Sequence, residues 1–365
     1  MAPSEIYKSF YTSLFTSLWA LVFARLFTPQ RVSKRDLSGQ VAIVTGANSG
    51  IGLSIATQLA RQNATVYLAC RSVDRGRKAA EDIVSRVGEK SEGKVHCWEL
   101  DTSSLTSVRR FCDRWIQEGN EIDMLVHNAG IASPPANSPT ATKDGKDLVI
   151  VTNFLGSFLM THLLEPHLSN TARVVLTSST GHYSATRLLQ PAPSPHPQTF
   201  LSNLRKCIGT KLNLGSSSAP AYAHSKAQQV LFAHLLQRRF SSDSDHQCSA
   251  HSFTPGFTSS AIFGKFDVSW RTWLTNPIFA VLKATERYVA ADTDQGSRTG
   301  SWLAAEGAAH GGGGYWEWQV KRTSLVEFLR GVLGEEEFMK RSREEWGRWE
   351  EGVEIEWDMG VKYDS

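Results

Sequence analysis

The fold of this chain is decided by the stretch VAIVTGANSGIG, residues Val41–Gly52, in which an apolar run passes into three glycines. The run Val41–Val44 is short, β-branched and uncharged, and a turn signal follows it, so it predicts a buried strand. Gly46, Gly50 and Gly52 let the backbone turn sharply and approach a bulky anion, at which the next helix directs its first amides and its dipole. The stretch therefore predicts a pyrophosphate site, although the glycines alone are equally typical of a bare turn.

The composition is typical of a globular protein and excludes several classes of function. Of the 365 residues, 41% are hydrophobic and 21% are charged, which is enough apolar material for a full core. The formal net charge of +3 is small and dispersed, so we predict no nucleic-acid partner. The five cysteines form no CxxC pair, which argues against a disulfide framework and a zinc site and favours a reducing compartment. We predict no metal.

Strand and helix patterns alternate from Leu37 onward, as they do in a parallel, doubly wound sheet. After Val41–Val44 the predicted strands are Ala64–Cys70, Lys94–Leu100, Ile122–Val126, Arg173–Thr177, Cys248–Phe253 and Tyr315–Val320. The predicted helices are Ile51–Gln62, Arg77–Val87, Leu105–Gln117, Lys146–Leu168 and Ala219–Phe240. We therefore predict an α/β fold: a single Rossmann-type, doubly wound, mainly parallel sheet of seven strands with helices on both faces, in one domain over residues 37–355 with a tail at 356–365.

Two segments depart from this alternation, and an acidic segment ends the chain. The run QPAPSPHPQT at Gln190–Thr199 carries four prolines and predicts an extended loop inside a long connection over residues 180–218. A loop of that length in a compact domain is usually functional or disordered. The second segment, Phe257–Asp292, is rich in apolar and aromatic residues. In the segment 335–365, 11 acidic and 5 basic residues accompany tryptophans and predict an amphipathic terminal helix on the core.

The N-terminal segment, residues 1–36, contains the apolar stretch FYTSLFTSLWALVFARLF at Phe10–Phe27, whose only charge is Arg25. As a helix this stretch would measure roughly 27 Å at about 1.5 Å per residue, barely enough for a bilayer core. Hydroxyl side chains recur along one side at helical spacing, so a helix that lies in the membrane interface is an equally serious interpretation. These side chains are Thr12, Ser13, Thr16 and Ser17.

Cationic residues flank this stretch, with Lys8 before it and Arg31, Lys34 and Arg35 after it, as suits an anionic cytoplasmic leaflet. We therefore predict contact with a membrane surface or bilayer through residues 10–27. Two alternatives stay open: a helix packed on the protein itself, and a cleaved signal, for which a small-residue cleavage site is missing. The first interpretation predicts an intracellular membrane such as the endoplasmic reticulum or a lipid-droplet surface, and the packed helix predicts the cytoplasm.

Acid/base chemistry is predicted at Tyr222 and Lys226, in the run AYAHSKAQQ. Four residues apart on one helix, the phenol and the ammonium share a face. An adjacent cation favours the phenolate, so we expect Lys226 to lower the pKa of Tyr222 and to make it a usable general acid/base. A YxxxK pair by itself is common on ordinary helices, and the motifs around it give it weight.

Four motifs occur in a fixed order: TGxxxGxG at 45–52, NAG at 128–130, the paired serines Ser178–Ser179 at a strand end, and YxxxK at 222–226. In this order they resemble the classical type of the short-chain dehydrogenase/reductase family, and the resemblance covers residues 37–320. The runs ACRS, AYAHSKAQQVLF and GSRTGSWLAAEG resemble its retinol-dehydrogenase and WW-domain-oxidoreductase-like branch. The resemblance implies a nicotinamide dinucleotide cofactor and oxidoreduction between a carbonyl and an alcohol.

The resemblance also implies a catalytic tetrad of Asn153, Ser179, Tyr222 and Lys226. Ser179 would hydrogen-bond the substrate oxygen, and Ser178 would be structural. Tyr222 would donate the proton in the reductive direction, and Lys226 would hold the nicotinamide ribose. Asn153, in VTNFLGSF, would hold a water that connects to the lysine.

The second strand is followed by Arg71, at the position where an acidic residue receives the ribose 2′-hydroxyl and an arginine accommodates a 2′-phosphate. This favours NADP over NAD. Asp101 matches the residue that contacts adenine in the family, though alone it is equally good as the N-cap of the next helix. His127 replaces the first Asn of the family's NNAG motif, and we interpret it as a packed histidine.

The remaining cofactor contacts are implied by the resemblance. The turn at Pro255 and Gly256 would pass over the nicotinamide, followed by a hydroxyl for which the spacing favours Ser260 over Thr258. The full set of predicted cofactor-binding residues is Gly46, Ser49, Gly50, Ile51, Gly52, Arg71, Asp101, Asn128, Ala129, Gly130, Tyr222, Lys226, Pro255 and Gly256.

These features predict an NADP(H)-dependent oxidoreductase that interconverts a carbonyl and an alcohol on a lipophilic small molecule, such as a retinoid, steroid, fatty aldehyde or secondary-metabolite ketone. Ser179 and Tyr222 are 43 positions apart (222 − 179), more than the resembled branch usually shows, so the substrate is not transferred from relatives. The alternative is a regulator or scaffold that binds a dinucleotide with little turnover. A homo-oligomer also stays open.

Overall fold

The structure is a computed structural model that describes residues 3–23, 30–88, 91, 93–135, 137–190, 219–242, 247–258, 290–306 and 311–360. Its centre is an eight-stranded sheet with the order β3-β2-β1-β4-β5-β6-β7-β8. The strands are β1 Val41–Thr45, β2 Thr65–Cys70, β3 Val95–Glu99, β4 Ile122–His127, β5 Leu168–Thr177, β6 Ser249–Thr254, β7 Tyr315–Glu317 and β8 Val320–Arg322. All neighbours are parallel except β7 and β8, which confirms the doubly wound, mainly parallel α/β sheet.

The sheet has eight strands rather than the predicted seven, because the predicted strand Tyr315–Val320 is part of a hairpin. The turn between β7 and β8 holds Trp318 and Gln319 at φ of 55° and 60°. Two positive φ values are typical of tight turns whose twist matches that of paired strands. Neither residue is the glycine or asparagine that usually marks such a turn, so the sequence pattern did not indicate it.

The helices are α1 Pro3–Phe23, α2 Gly50–Arg61, α3 Val73–Val87, α4 Leu105–Glu118, α5 Leu148–His167, α6 Ala219–Ser241, α7 Thr293–Glu306, α8 Leu325–Leu333 and α9 Glu335–Val353. Among the five helices predicted between the strands, the largest difference in bounds is at α3, which begins at Val73 rather than at Arg77. The Ser72 side chain accepts a hydrogen bond from the Arg75 backbone N–H and caps α3 at that earlier position. β5 likewise begins earlier than the predicted Arg173.

Apolar side chains cover both faces of the sheet and form two clusters. Leu59 of α2 and Leu303 of α7 belong to the cluster on one face. Trp115 of α4, Phe158 of α5 and Leu231 of α6 belong to the cluster on the other. The predicted arrangement of helices on both faces is therefore confirmed.

The central helix α5 is interrupted by a π-helical turn at Val151–Leu155, which includes Asn153. Among the described residues, α5 is the one helix that is long and apolar enough to cross a membrane, and 72% of its apolar window is buried inside the protein. Its hydropathy is that of a core helix. Turns of the π type occur frequently at functional sites, and Asn153 lies in this one.

Helix α1 packs on the domain through one of its faces. The rings of Phe10 and Phe328 of α8 stack with their centroids 4.2 Å apart. Further along α1, the Ser17 hydroxyl donates a 2.5 Å hydrogen bond to the buried carboxylate of Glu317 in β7. The described residues of this segment therefore pack on the protein through one face of α1, and contact with a membrane stays a prediction.

The terminal helix α9 has the amphipathic character predicted for it. Trp346 and Trp349 are buried in the core, and Trp357 packs beside them after the helix ends. Glu336 and Glu344 lie on the exposed side of α9.

Several predicted features lie outside the described residues. They are the prolines of 190–199 and most of the connection 180–218, nearly all of the segment Phe257–Asp292, Ser260, and the end of the tail 356–365.

Candidate active site

The glycine-rich loop lies at the carboxyl end of β1 and leads into α2. At Gly52 an added Cβ would lie 2.4 Å from Asn128 Nδ2 and 2.7 Å from Gly46 O, closer than a side chain permits. Gly46 has a φ of +66°, and a Cβ there would lie 2.9 Å from Ala129 Cα. These two glycines therefore let the loop touch the turn that follows β4.

Thr45, the last residue of β1, holds that turn in place. Its hydroxyl accepts hydrogen bonds from the backbone N–H groups of Asn128 at 2.9 Å and Ala129 at 3.0 Å. Asn128 Nδ2 in turn donates to Thr45 O at 3.1 Å. The NAG turn and the glycine-rich loop thus form one continuous surface at the carboxyl edge of the sheet.

The first turn of α2 has the features of an anion site. Ser49 is the N-cap in an extended conformation, and its side chain makes no capping hydrogen bond. Gly50 has a φ of +60°, and no heavy atom lies within 4 Å of the position of an added Cβ. Ile51 fixes this turn to the core. Because backbone amides at a helix start have no acceptor within the helix, this cradle fits a pyrophosphate.

Arg71 lies directly after β2, on the same edge of the sheet as the glycine-rich loop. Gly46 N donates to Ala69 O at 2.8 Å, which ties the loop to the end of β2. Arg71 is exposed, as are the cations Arg75 and Arg77 that follow it on α3. The cluster therefore presents positive charge at the end of β2, where the 2′-phosphate of NADP is predicted.

Asp101 follows β3 but does not cap α4. The cap is Ser104, whose hydroxyl accepts a 3.3 Å hydrogen bond from Ser107 N. Asp101 Oδ1 instead accepts from the backbone N–H and the hydroxyl of Ser103, at 3.0 and 2.6 Å. The N-cap interpretation of Asp101 is therefore wrong, and the contact with adenine stays a prediction.

The structure brings the four predicted catalytic residues together between α5, the end of β5 and α6. Lys226 Nζ lies 5.7 Å from the centroid of the Tyr222 ring, and the Ser179 side chain hydrogen-bonds Tyr222. A Cβ at Gly130 would lie 3.1 Å from Asn153 Oδ1 and 3.5 Å from Lys226 Nζ. The NAG turn therefore borders the same site.

The two serines after β5 have different surroundings. Ser178 Oγ donates to Lys226 O at 2.7 Å, which joins β5 to α6. Ser179 Oγ accepts from Gly181 N at 3.1 Å at the start of a short 3₁₀ helix, Thr180–Ser184. Ser179 is thus the serine that contacts Tyr222, and Ser178 joins the end of β5 to α6.

The Asn153 side chain is fully engaged by protein groups. Its Oδ1 accepts from Ile131 N at 2.7 Å, and its Nδ2 donates to Ile131 O at 2.9 Å and to Ser225 Oγ at 3.0 Å. These bonds offset the cost of burying the amide. They also join α5 to the NAG turn and to α6.

Burial governs the pKa of both members of the Tyr–Lys pair. Desolvation raises the pKa of Tyr222, and the hydrogen bond from Ser179 opposes this without reversing it. Desolvation lowers the pKa of Lys226 to about 7, and its ammonium donates to Thr177 O at 2.7 Å. The expected net lowering of the Tyr222 pKa is therefore wrong for the protein chain, and stabilisation of the phenolate by Lys226 stays a prediction. A protonated Tyr222 at neutral pH suits a proton donor.

Replacing Lys226 with methionine is expected to flatten the pH dependence of stability. The pKa of Lys226 is about 7 in the folded protein against its ordinary value of 10.5, so between these values the unfolded chain binds more protons and the free energy of unfolding rises with pH. This contribution is at most about 1.4 kcal/mol per pH unit. Urea unfolding at pH 7 and pH 9 measures it, because other titrating groups are common to both proteins. Equal slopes for wild type and Lys226→Met would contradict the burial of the ammonium.

The histidines near the motifs are packed groups. His127 Nε2 shares a 2.8 Å hydrogen bond with Thr161 Oγ1, and burial lowers its pKa to about 3. His182 bonds Ser179 O through Nδ1 and accepts from Leu325 N through Nε2, so it joins the Ser179 turn to α8. His127 is therefore a neutral core histidine, as interpreted from the sequence.

The turn after β6 has the conformation expected for a close approach. Gly256 has a φ of +71°, and its N–H donates to Thr254 Oγ1 at 3.2 Å. Thr258 Oγ1 donates to Pro255 O at 2.8 Å and is buried. The Thr258 hydroxyl is thus occupied within the turn, and its rival Ser260 lies outside the described residues.

Three residues that support the site were missed in the sequence: Thr45, Thr177 and Gln229. Thr45 binds through its hydroxyl and Thr177 through its carbonyl oxygen, at the last residue of a strand in each case. Gln229 is a buried polar residue three positions after Lys226, on the same side of α6. Its spacing of three residues from Lys226 on one helix was the available signal.

The sequence of this chain is similar to those of known proteins. A family profile described as short chain dehydrogenase matches residues 40–187. Retinol dehydrogenase 11 of Mus musculus is 34% identical over 256 residues, which cover 70% of this chain and 72% of that protein. The chain belongs to the short-chain dehydrogenase/reductase family.

Two further relatives agree with the predicted branch of the short-chain dehydrogenases. Dehydrogenase/reductase SDR family member 13 of Bos taurus is 36% identical, with 68% of this chain and 59% of that protein aligned. WW domain-containing oxidoreductase of Gallus gallus is 34% identical, with 77% of this chain and 61% of that protein aligned. The chain thus spans less than two thirds of the length of these two relatives. The predicted resemblance to the branch is confirmed.

Solved structures share the short-chain dehydrogenase fold. An uncharacterized protein from Mycobacterium paratuberculosis has a TM-score of 0.60 and 25% identity, over 90% of this chain and 99% of that one. L-sorbose reductase from Gluconobacter frateurii, complexed with NADPH and L-sorbose, has a TM-score of 0.55 and 19% identity, over 78% and 96% of the two chains. The short-chain dehydrogenase domain described above is an oxidoreductase domain that acts on CH–OH groups.

Proposed function

We propose that this chain is an NADP(H)-dependent oxidoreductase that interconverts a carbonyl and an alcohol on a lipophilic small molecule. The observation that carries the proposal is the convergence of Asn153, Ser179, Tyr222 and Lys226 beside the NAG turn. A relative named retinol dehydrogenase supports a lipophilic substrate, since retinol is one. A retinoid, steroid, fatty aldehyde or other lipophilic ketone fits this class.

The cofactor has a place to bind in this chain. The amides at the start of α2 and the open space beside Gly50 would hold the pyrophosphate, and Arg71 would pair with the 2′-phosphate. Asp101 would lie at adenine and the Pro255–Gly256 turn at nicotinamide. When bound, the nicotinamide supplies or accepts the hydride, and L-sorbose reductase is a neighbour in fold whose structure contains NADPH.

The chain's own residues bind the substrate oxygen and move its proton. Ser179 Oγ would donate a hydrogen bond to the carbonyl oxygen and polarise it. Tyr222 would pass its phenolic proton to that oxygen, because burial keeps the phenol protonated at neutral pH. Lys226 would then stabilise the phenolate that forms, and its ammonium is held by Thr177 O for that task.

A turnover assay tests this function. We expect purified protein to oxidise NADPH in the presence of retinaldehyde, a steroid ketone or a long-chain aldehyde, and to reduce NADP with the matching alcohols. Short polar carbonyls of the same concentration serve as the control for the lipophilic preference. Binding of NADPH without turnover of any of these compounds would instead support the dinucleotide-binding regulator.

Replacing Arg71 with aspartate is expected to weaken NADPH binding and to favour NADH. A charge-assisted hydrogen bond contributes about 1.5–3 kcal/mol, which corresponds to a change of about 10- to 150-fold in Kd. Arg110→Asp, the same charge change at an exposed residue of α4, is the control. Titration of both proteins with NADPH and NADH measures the effect. An unchanged ratio of the two Kd values in Arg71→Asp would assign the 2′-phosphate to another residue.

The outward face of α1 is apolar, and we propose that it lies on a membrane. Most exposed large apolar side chains among the described residues lie on one face of α1, namely Tyr11, Phe15, Leu18 and Trp19. Val32 and Val320 are also exposed, as is Ile116 of α4. The exposed cations Lys8, Arg31 and Lys321 favour an anionic surface. Because Ser17 is bonded to Glu317, the helix would lie in the interface without crossing the bilayer.

Replacing Phe15 and Trp19 together with serine is expected to reduce binding to phosphatidylserine-containing vesicles by at least about tenfold, because each side chain stabilises the bound state by about 1–2 kcal/mol when it enters the interface. Vesicle flotation measures binding, and Ile116→Ser, which removes an exposed apolar residue elsewhere, is the control. Equal flotation of the double variant and the wild type would refute the membrane role of this face.

A further inference from the structure

Gln229 connects two members of the catalytic tetrad. It lies on α6 three residues after Lys226 and has no exposed surface. Its Oε1 accepts a 3.2 Å hydrogen bond from Lys226 Nζ, and its Nε2 donates a 2.7 Å hydrogen bond to the main-chain oxygen of Asn153. One buried amide therefore spans from the lysine ammonium to the backbone of α5.

The two partners fix the orientation of this amide. A main-chain carbonyl oxygen can only accept, so Nε2 must face Asn153, and Oε1 is then left to accept from Lys226 Nζ. The carbonyl of Asn153 lies within the π-helical turn, where the bonding register of α5 changes from i+4 to i+5. The irregular turn of α5 and the glutamine on α6 are thus parts of one arrangement.

The resemblance assigns this connection to a water that is held by the asparagine and reaches the lysine. In this chain a side chain makes it. We propose that Gln229 takes the place of that water and acts as a positioning residue. It holds Lys226 Nζ between Thr177 O and its own Oε1, and it stabilises the charged form of the lysine. The effect of Gln229 on turnover rests on the proposed function, whereas its effect on the titration of Lys226 does not.

The surroundings of Lys226 make this acceptor important. Burial lowers the pKa of Lys226, and the nearby titratable side chain in the described part of the chain is Tyr222, whose ring centroid lies 5.7 Å from Nζ. Among the described residues, Nζ donates to Thr177 O and Gln229 Oε1, and neither acceptor is a carboxylate. A buried ammonium without a carboxylate depends on neutral acceptors for its stability.

Two substitutions of similar volume should therefore move the titration of Lys226 in opposite directions. Gln229→Met removes the acceptor, and we expect the pKa of Lys226 to fall by about one unit. Gln229→Glu replaces the acceptor with a carboxylate, and we expect the pKa to rise by at least as much. Gln228→Met is the matched control, because Gln228 is also buried on α6 but bonds Glu345 at 3.3 Å instead of the tetrad.

The primary measurement uses the protein without cofactor. Lysine labelled with ¹³C at the ε carbon is titrated by NMR, and the Lys226 signal is assigned by its loss in Lys226→Arg. In the turnover assay, the alkaline limb of kcat should shift to lower pH in Gln229→Met and to higher pH in Gln229→Glu. KM for the carbonyl substrate should stay unchanged in both variants. A purely structural glutamine would lower stability in both variants without moving their titrations apart.

The outcomes separate this inference from the proposed function. Opposite shifts in the NMR titration support the role of Gln229 even if no substrate is turned over, in which case the proposed function fails by itself. If both Gln229 variants titrate within about 0.2 pH unit of Gln228→Met, the positioning role is overturned. Should Gln229→Met not fold, Gln229→Glu carries the same test, since an unmoved Lys226 beside a new carboxylate contradicts the contact.

Discussion

Replacing Tyr222 with phenylalanine is expected to lower kcat for carbonyl reduction by about 10²–10⁴-fold, the range that a positioned acid/base group contributes. The substitution removes one oxygen, the atom from which the proton would leave. The pKa of this phenol is raised by burial, so at neutral pH the wild type carries that proton. Binding of NADPH should change little, because the glycine-rich loop and Arg71 are left intact.

Single-turnover and steady-state measurements at pH 7 test this result, with NADPH binding measured in parallel. Tyr183→Phe is the control, because it also removes a phenol, one that donates a 3.0 Å hydrogen bond to Thr323 O. That control should lose some stability and keep its turnover. If Tyr222→Phe turned over as fast as the wild type, another group would have to be the proton donor.

Replacing Gly52 with alanine is expected to weaken NADPH binding by at least about tenfold. The new Cβ would lie 2.4 Å from Asn128 Nδ2 and 2.7 Å from Gly46 O, so either the loop or the NAG turn must move. Overpacking of this kind typically costs about 1–3 kcal/mol, and here it falls on the cradle that holds the pyrophosphate. We expect a fall in the melting temperature and a larger fall in affinity.

Fluorescence titration with NADPH and thermal unfolding measure the two effects. Gly347→Ala is the matched control, because Gly347 lies inside α9 with no atom within 4 Å of an added Cβ. Alanine in a helix interior should stabilise the protein by about 0.5–1 kcal/mol without altering NADPH binding. An unchanged affinity in Gly52→Ala would mean that the cofactor does not depend on this loop.

Much of the fold can be predicted from local sequence patterns. The strands β1, β2 and β4 are short, mainly apolar runs bounded by turn signals, and the helices between the strands show their apolar faces at regular spacing. The strand β8 was missed because its turn uses Trp318 and Gln319 at positive φ, a conformation that the residue types do not suggest. The start of α3 was missed because the capping role of Ser72 depends on geometry rather than on hydrophobic spacing.

The residues of the candidate site were nameable from the sequence, but their electrostatics were not. Spacing put Tyr222 and Lys226 on one helix face, yet it could not show that both groups are desolvated, which raises the pKa of one and lowers that of the other. The partners of Lys226 come from β5 and from its own helix. The contact with Thr177 O in β5 depends on tertiary packing between elements far apart in sequence.

The N-terminal helix shows a similar limit. The serines of α1 were interpreted as the polar side of a membrane helix, whereas Ser17 is buried on Glu317 and the aromatic side chains of Phe15 and Trp19 are exposed. Composition alone cannot decide which face of such a helix meets the protein. That choice depends on a buried carboxylate in β7, which a hydropathy pattern does not predict.

Transfer of deuterium from the cofactor to the substrate tests the central claim most directly. Purified protein is incubated with a lipophilic aldehyde and NADPH that carries deuterium at one of the two positions on nicotinamide C4, and each of the two stereoisomers is used in turn. The account predicts one deuterium on the carbinol carbon of the product with one stereoisomer and none with the other, and loss of product in Tyr222→Phe. Alcohol formed without deuterium from either stereoisomer, or no alcohol from any lipophilic carbonyl, would contradict it.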